Sequence, residues 1–219
     1  PIRQAGKVVL TINYGKGEKT KKNLESESKK LDFVAELLSS FEAKEIYQPM
    51  EGFNQNNIHS LKDAKNFLCL LNPERFKTLE QYKNSLESVD FDILLIEPSI
   101  NGEFFSREQI ESLKKKSSGA RRLVIAYFSI GEAENYRYYW KKSWNKKHPD
   151  WIAEENSNWS GNYRVKYWSP EWKSIIKDYQ KKLDEIGVDG YLLDTVDTYY
   201  YFEDKDEAKQ KTKTKKNKK

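Results

Sequence analysis

The chain is poor in the residues that build metal sites and disulfides. Its one cysteine, Cys69, excludes an intrachain disulfide and any cysteine-based zinc site. Its two histidines, His59 and His148, stand far apart and argue against a histidine-rich metal centre. With no ligand spacing in view, neither a metal nor a cofactor is expected. No apolar run nears the roughly 18 residues of a membrane span, so no transmembrane segment is expected. No glycine-rich phosphate loop follows a strand, and Gly131 stands alone in Ser-Ile-Gly-Glu, which disfavours a nucleotide-binding fold. The sequence opens on Pro1 rather than methionine. That is expected of a chain processed or trimmed at its start, from which a signal peptide or lipid anchor would already be gone.

A surplus of positive charge is present only in name. The 219 residues (25.9 kDa) carry a formal charge of +5, yet residues 208–219 (AKQKTKTKKNKK) hold seven lysines and no acid. Without them the chain is slightly acidic. A run with so little apolar surface cannot offset its ordering entropy, so a disordered lysine-rich tail is expected over 204–219. The run has neither arginine nor an aromatic for base stacking, and nucleic-acid binding is not expected. The remaining length suffices for one large domain or two small ones with a core of their own.

Residues 1–64 read as an N-terminal extension. Val8–Asn13 suits a strand, a Gly/Lys-rich loop follows at 15–23, and Leu31, Val34, Leu37, Leu38 and Phe41 recur at the spacing of a helix over 26–41. From residue 65 the pattern changes. The apolar runs Phe67–Leu71, Phe91–Ile96 and Leu123–Phe128 read as buried strands, with weaker candidates at Tyr163–Trp168 and Val188–Leu193. Helical stretches fall between them at 74–88, 106–117, 132–143 and 170–186. Ser106 with Gln109 marks a helix start, and Pro170 suits a first turn. Strands alternating with helices imply a parallel sheet with crossovers, either open and doubly wound or a (β/α)8 barrel.

Either architecture gathers functional groups at the carboxyl ends of its strands, and here those ends are acidic. Glu97 ends one strand, Glu132 and Glu134 follow the next, and Asp194 ends a third with Asp197 beyond. Capping or solvation is the stronger explanation of Glu134. Alternation puts Asp194 on the face of Gly190 and Leu192, where a carboxylate is either catalytic or satisfied by a buried donor. Lys166 shares a face with Arg164 and Trp168; it either pairs with a carboxylate of the cleft or is an ordinary exposed lysine. All six tryptophans lie between Trp140 and Trp172, with Tyr163 among the tyrosines of the same stretch. Such rings either fill a core or stack on the apolar faces of sugars. Residues 144–163 have the polarity of a surface loop, which suggests a carbohydrate cleft.

Several ordered motifs together resemble glycoside hydrolase family 114. They are Ala126-Tyr-Phe-Ser-Ile-Gly-Glu-Ala-Glu134, Tyr136-Arg-Tyr-Tyr-Trp140, Pro149-Asp-Trp-Ile152, Asn162-Tyr-Arg-Val-Lys-Tyr-Trp168, Pro170-Glu-Trp172 and Gly187 through Asp197. The agreement covers roughly residues 65–202, within a domain expected over 65–203, and is densest from 123 to 197. The resemblance implies a (β/α)8 TIM-barrel-like domain, incomplete after about its fifth strand. It also implies an extracellular or cell-surface setting and an endo-α-1,4-polygalactosaminidase-like hydrolase acting on a polysaccharide. It places one catalytic carboxylate on Asp194, with Asp197 second, and puts Tyr127, Glu132, Lys166 and Trp168 on positions lining the family's cleft. Glu97 replaces a more usual aspartate. A later Asn-Gly-x-Glu-like motif, which supplies a catalytic glutamate in the family, has no counterpart. Three readings follow: a hydrolase whose second carboxylate is Glu132, Glu134 or Glu97; a non-catalytic carbohydrate-binding relative; or one segment of a longer protein.

Overall fold

A computed structural model describes residues 5–216. They form two compact units, one of residues 5–127 with 183–192 and the other of residues 128–182 with 193–216.

Unit 1 opens with β1 (Leu10–Tyr14), α1 (Glu18–Leu31) and β2 (Val34–Leu38), in which β1 and β2 pair in parallel from Leu10 opposite Val34 to Tyr14 opposite Leu38. The helix expected over 26–41 is therefore half helix and half strand. Asp32 turns into the left-handed region (φ 53°) and closes α1, while Phe33 N–H donates to the Ser28 carbonyl at 2.9 Å. The helical spacing of Val34, Leu37 and Leu38 belongs to a strand whose residues are all at least partly buried. Gly15 and Gly17 (φ 90°) turn the chain from β1 into α1, so the Gly/Lys-rich loop expected over 15–23 is confined to its start, the helix beginning at Glu18.

Next come β3 (Phe67–Leu70), α2 (Leu79–Glu87), β4 (Ile93–Ile96), β5 (Ser99–Ile100), β6 (Glu103–Phe104), α3 (Arg107–Leu113) and β7 (Leu123–Ser129). β3, β4 and β7 are the three strongest apolar runs of the sequence, and they pair in parallel in that order. Every residue of β3 and β4 is buried, the pattern of strands covered on both faces. Thr78 caps α2, and Ser106 and Gln109 form the expected capping box of α3. β11 (Gly190–Asp194) joins the far side of β7, giving the sheet order β11-β7-β4-β3. Asp189 N–H donates to Val124 O at 2.8 Å as the two strands begin to pair. This mixed α/β arrangement, with a parallel sheet and crossover helices, is that of a partial (β/α) barrel.

One apolar cluster of unit 1 joins Leu68, Leu70, Tyr82, Leu86, Leu94, Ile96, Ile110 and Val124. A second joins Ile58, Phe67, Cys69, Ile93 and Leu95, and Leu10, Ile12 and Val34 pack against it. Residues 5–64 thus lie within the same compact unit as β3 and β4. Two buried cations serve this core. Arg122 donates to the carbonyls of Leu113, Val89 and Leu86, and burial lowers its pKa to about 10. Lys116 Nζ meets Asp92 Oδ1 at 2.6 Å with both side chains fully enclosed.

Unit 2 takes up the chain at Phe128. β8 (Glu132–Glu134), β9 (Ile152–Glu155) and β10 (Asn162–Val165) make a small antiparallel sheet in the order β8-β10-β9. Two expectations fail there. Residues 132–143 are not a helix, because Glu132–Glu134 pair as a strand and only Lys142–Asn145 coil, into a short 3-10 turn. The strand at Tyr163–Trp168 stops at Val165 and is antiparallel rather than one of the parallel set, because its partners are its own hairpin neighbour β9 and β8. α4 (Pro170–Ile186) starts at the expected proline.

α5 (Thr198–Lys216) occupies most of the segment expected to be a disordered tail. Glu, Ala, Lys and Gln are good helix formers, and neither glycine nor proline interrupts them. Its beginning is anchored: Lys205 Nζ reaches Glu154 Oε2 at 2.8 Å, and Phe202 meets the ring of Trp168 edge-on. Residues 217–219 lie outside the described part. Among the described residues no helix is long and apolar enough to cross a membrane.

Candidate active site

The antiparallel sheet of unit 2 sorts its side chains by alternation. Ala133, Tyr163 and Val165 face an apolar cluster with Trp151, Ile152 and Trp172. On the other face Glu132 stands opposite Arg164, and Glu134 opposite Asn162. The aromatic stretch divides in the same way. Trp151 and Trp172 stack in the core (ring centroids 5.3 Å apart), with Trp140 and Trp144 against it, whereas Trp159 and Trp168 are 45% and 49% exposed. Tyr163, expected to bind substrate, lies 5.0 Å from the Trp140 ring and 4.9 Å from His148. It is half-buried and packs against the apolar cluster, because odd positions of β10 face inward.

Glu132 is the chemically unusual member. It is 3% exposed, and its Oε1 accepts from Asn156 Nδ2 at 2.8 Å. Its Oε2 is enclosed, with no hydrogen-bond partner among the described residues. Burial pushes the Glu132 carboxyl above its usual range. The Asn156 bond and the Arg164 charge pull it down, while Asp194 and Glu134 push it up; the raised direction prevails. A carboxyl with one free, enclosed oxygen and a raised pKa is suited to hold a proton.

Glu134 differs although it is equally buried. Tyr136 Oη donates to its Oε1 at 2.7 Å and Arg137 Nε to its Oε2 at 2.5 Å. Both oxygens are engaged, so Glu134 is held as a buried ion pair with Arg137; contrary to expectation, it neither caps a helix nor faces solvent.

Asp194 reaches the same region through the backbone. Ile130 N–H donates to Asp194 O at 3.1 Å, and Gly131 N–H to Thr195 Oγ1 at 2.8 Å. Ser129 Oγ donates to Glu132 O and lies 3.0 Å from Thr195 Oγ1. The turn after β7 and the turn after β11 are thereby laced together, and Thr195 adopts φ 59°, uncommon for a β-branched residue. Asp194 itself is exposed, so alternation along β11 did not bury it. Asp197 is exposed where α5 begins, and its carbonyl accepts from Tyr200 N–H. Lys166, half-buried, bonds Trp151 O through its backbone. Trp168 presents an exposed ring beside Tyr167 and Phe202.

Of the sequence-expected residues, unit 2 places Asp194 and Glu134 where their charges act on Glu132. Glu97 and Tyr127 belong to unit 1. Glu97 is buried, and its Oε1 accepts from Ser99 N–H and Oγ at 3.1 and 2.8 Å; Tyr127 is buried on β7. A cavity of 420 Å³ also lies in unit 1, lined by Gly15, Lys21, Leu37, Lys44 and Tyr47 among others, in a segment where the sequence suggested no chemistry. Asn156 was not singled out by the sequence; its polar surroundings, Glu-Glu-Asn-Ser-Asn, were the available sign of a tight turn. Among the described residues no three His, Cys, Asp or Glu side chains gather as they would around a metal ion.

The family model of glycoside-hydrolase family GH114 matches residues 54–219, three quarters of the chain. The chain belongs to glycoside-hydrolase family GH114. It is 38% identical over 171 residues to an uncharacterized protein of Methanocaldococcus jannaschii, covering 74% of this chain and 48% of that one. It is also 38% identical over 117 residues to an uncharacterized Thermotoga maritima protein, covering 53% and 36%. The chain thus spans half or less of the length of these relatives. Among solved structures it is similar to Aspergillus fumigatus Ega3 in complex with galactosamine (29% identity, TM-score 0.40, 51% of this chain and 40% of that one). It is similar too to the glycoside hydrolase domain of Pseudomonas aeruginosa PelA (18% identity, TM-score 0.38, 50% and 39%).

Proposed function

We propose that this GH114 chain hydrolyses an α-1,4-linked galactosamine-containing polysaccharide, with Glu132 as the acid and Asp194 as its ionised partner. One observation carries the assignment: Glu132 combines an enclosed, unpartnered Oε2 with a raised pKa beside Asp194. Glycoside hydrolysis needs one protonated and one ionised carboxyl group, and unequal environments set such a pair apart. Asp194 is exposed, so its carboxyl group lies within reach of solvent water. In this reaction the surroundings of Glu132 must first open Oε2, enclosed in this conformation, to the substrate; Glu132 then gives its proton to the glycosidic oxygen as the C–O bond breaks. Asp194 either bonds to the anomeric carbon or takes a proton from the attacking water. Asp197 serves substrate holding. Trp168 offers an exposed ring for a sugar face.

A second reading is a non-catalytic carbohydrate-binding relative. The depth of Glu132 favours it, since a carboxyl 3% exposed is out of reach of a polymer in this conformation. Reducing-end release from an α-1,4-linked galactosamine polymer separates the two. Release supports the hydrolase; binding of the polymer without release by folded protein supports the binding relative.

A further inference from the structure

The environment of Glu132 depends on one side chain outside the strand that carries it. Asn156 follows β9, and each of its polar groups has a defined use. Its backbone N–H donates to Asn162 O at 2.7 Å, its carbonyl accepts from Trp159 N–H at 3.0 Å, and its Oδ1 accepts from Asn158 N–H at 3.1 Å. The last bond fixes the amide. Turning it over would set an NH2 group against the Asn158 N–H, so the NH2 must be the end that faces Glu132 Oε1 at 2.8 Å. A donor on Oε1 excludes a proton from the side of that oxygen facing it. Oε2, enclosed and unpartnered, is left to carry it.

Resting on the assignment of Glu132 as the acid, we propose that Asn156 is its positioning residue: it confines the transferable proton to Oε2 and sets how readily Glu132 gives it up. The charged groups acting on Glu132 are Arg164 from β10, Asp194 from β11 and Glu134 along β8. Asn156 adds a neutral donor to that set. A bond made to the ionised form favours that form, so losing it must move the Glu132 titration to higher pH.

Two variants keep the turn and remove the donor. In Asn156→Ser the hydroxyl still accepts from Asn158 N–H but is too short to reach Glu132. In Asn156→Asp an acceptor of the same shape replaces the amide and adds a like charge. The Glu132 carboxyl is followed by 13C NMR, with Glu132→Gln identifying its signal. The midpoint is expected to rise in Asn156→Ser and further in Asn156→Asp. In active protein the alkaline limb of the rate profile follows it, and kcat falls about tenfold to a hundredfold. A purely structural asparagine would lower the melting temperature and leave the midpoint where it was. An unmoved midpoint in folded Asn156→Ser overturns the proposal. Failure of the hydrolase assignment is separately visible, because a wild-type chain without turnover would still show, or fail to show, the shift in midpoint.

Discussion

The backbone N–H of Gly131 donates to Thr195 Oγ1 at 2.8 Å, and a Cβ on Gly131 would stand 2.1 Å from the Thr195 carbonyl oxygen and 2.7 Å from Thr198 Oγ1. Only a glycine allows the turn after β7 to lie this close to the turn after β11. Gly131→Ala should therefore destabilise the protein by about 3 kcal/mol, since the obstacle is backbone and cannot swing aside. Urea denaturation monitored by tryptophan fluorescence reads the change. A loss under 1 kcal/mol would mean that the two turns separate easily.

Glu36 on β2 is 1% exposed, and its oxygens accept only from Met50 N–H at 3.2 Å and Phe67 N–H at 3.4 Å among the contacts described. Burial lifts its pKa from 4.5 to about 8. A carboxyl raised on folding stabilises the native state below its unfolded pKa, and that contribution is lost as pH rises through the folded value. Stability should thus decline between about pH 4.5 and 8, by up to about 4 kcal/mol. Glu36→Gln, neutral throughout, should flatten this slope at the cost of the longer backbone bond. Denaturation midpoints at pH 5 and pH 8 in both proteins check it; equal slopes would show that Glu36 is ionised in the fold.

The enclosed Asp92–Lys116 pair is tied further: Lys116 Nζ donates to the carbonyls of Asn54 and Asn56, and Asp92 Oδ2 accepts from Lys65 N–H at 2.7 Å and Asn54 Nδ2 at 3.0 Å. Removing one partner strands a buried charge. Lys116→Met should lose about 3–5 kcal/mol, and Asp92→Asn with Lys116→Met together should lose less than the two single changes added. A thermodynamic double-mutant cycle measures the coupling, and strict additivity would contradict it.

Much of the framework was legible because its signals were strong and local. Phe67–Leu70 and Ile93–Ile96 are buried along their whole length, and continuous apolar runs announce that state. The capping box at Ser106 and the proline at the start of α4 are chemical marks of helix ends. Misreadings arose where a single conformation broke a periodic pattern, as when Asp32 ended α1 and passed Val34–Leu38 to a strand. At the site, Asp194 and Glu132 stood out as carboxylates at strand ends. Tyr163 and Asn156 could not be assigned, since which face of β10 looks inward and which loop residue meets Glu132 depend on the register of β8, β9 and β10. That register is tertiary information.

The assignment of Glu132 and Asp194 is tested most directly by reducing-end release from an α-1,4-linked galactosamine polymer, compared across the wild-type chain, Glu132→Gln and Asp194→Asn. Release by the wild-type chain is expected, with a loss of about 10²–10⁴-fold in each variant and unchanged folding by circular dichroism. Wild-type release that survives either substitution, or no release by folded wild-type protein, would contradict it.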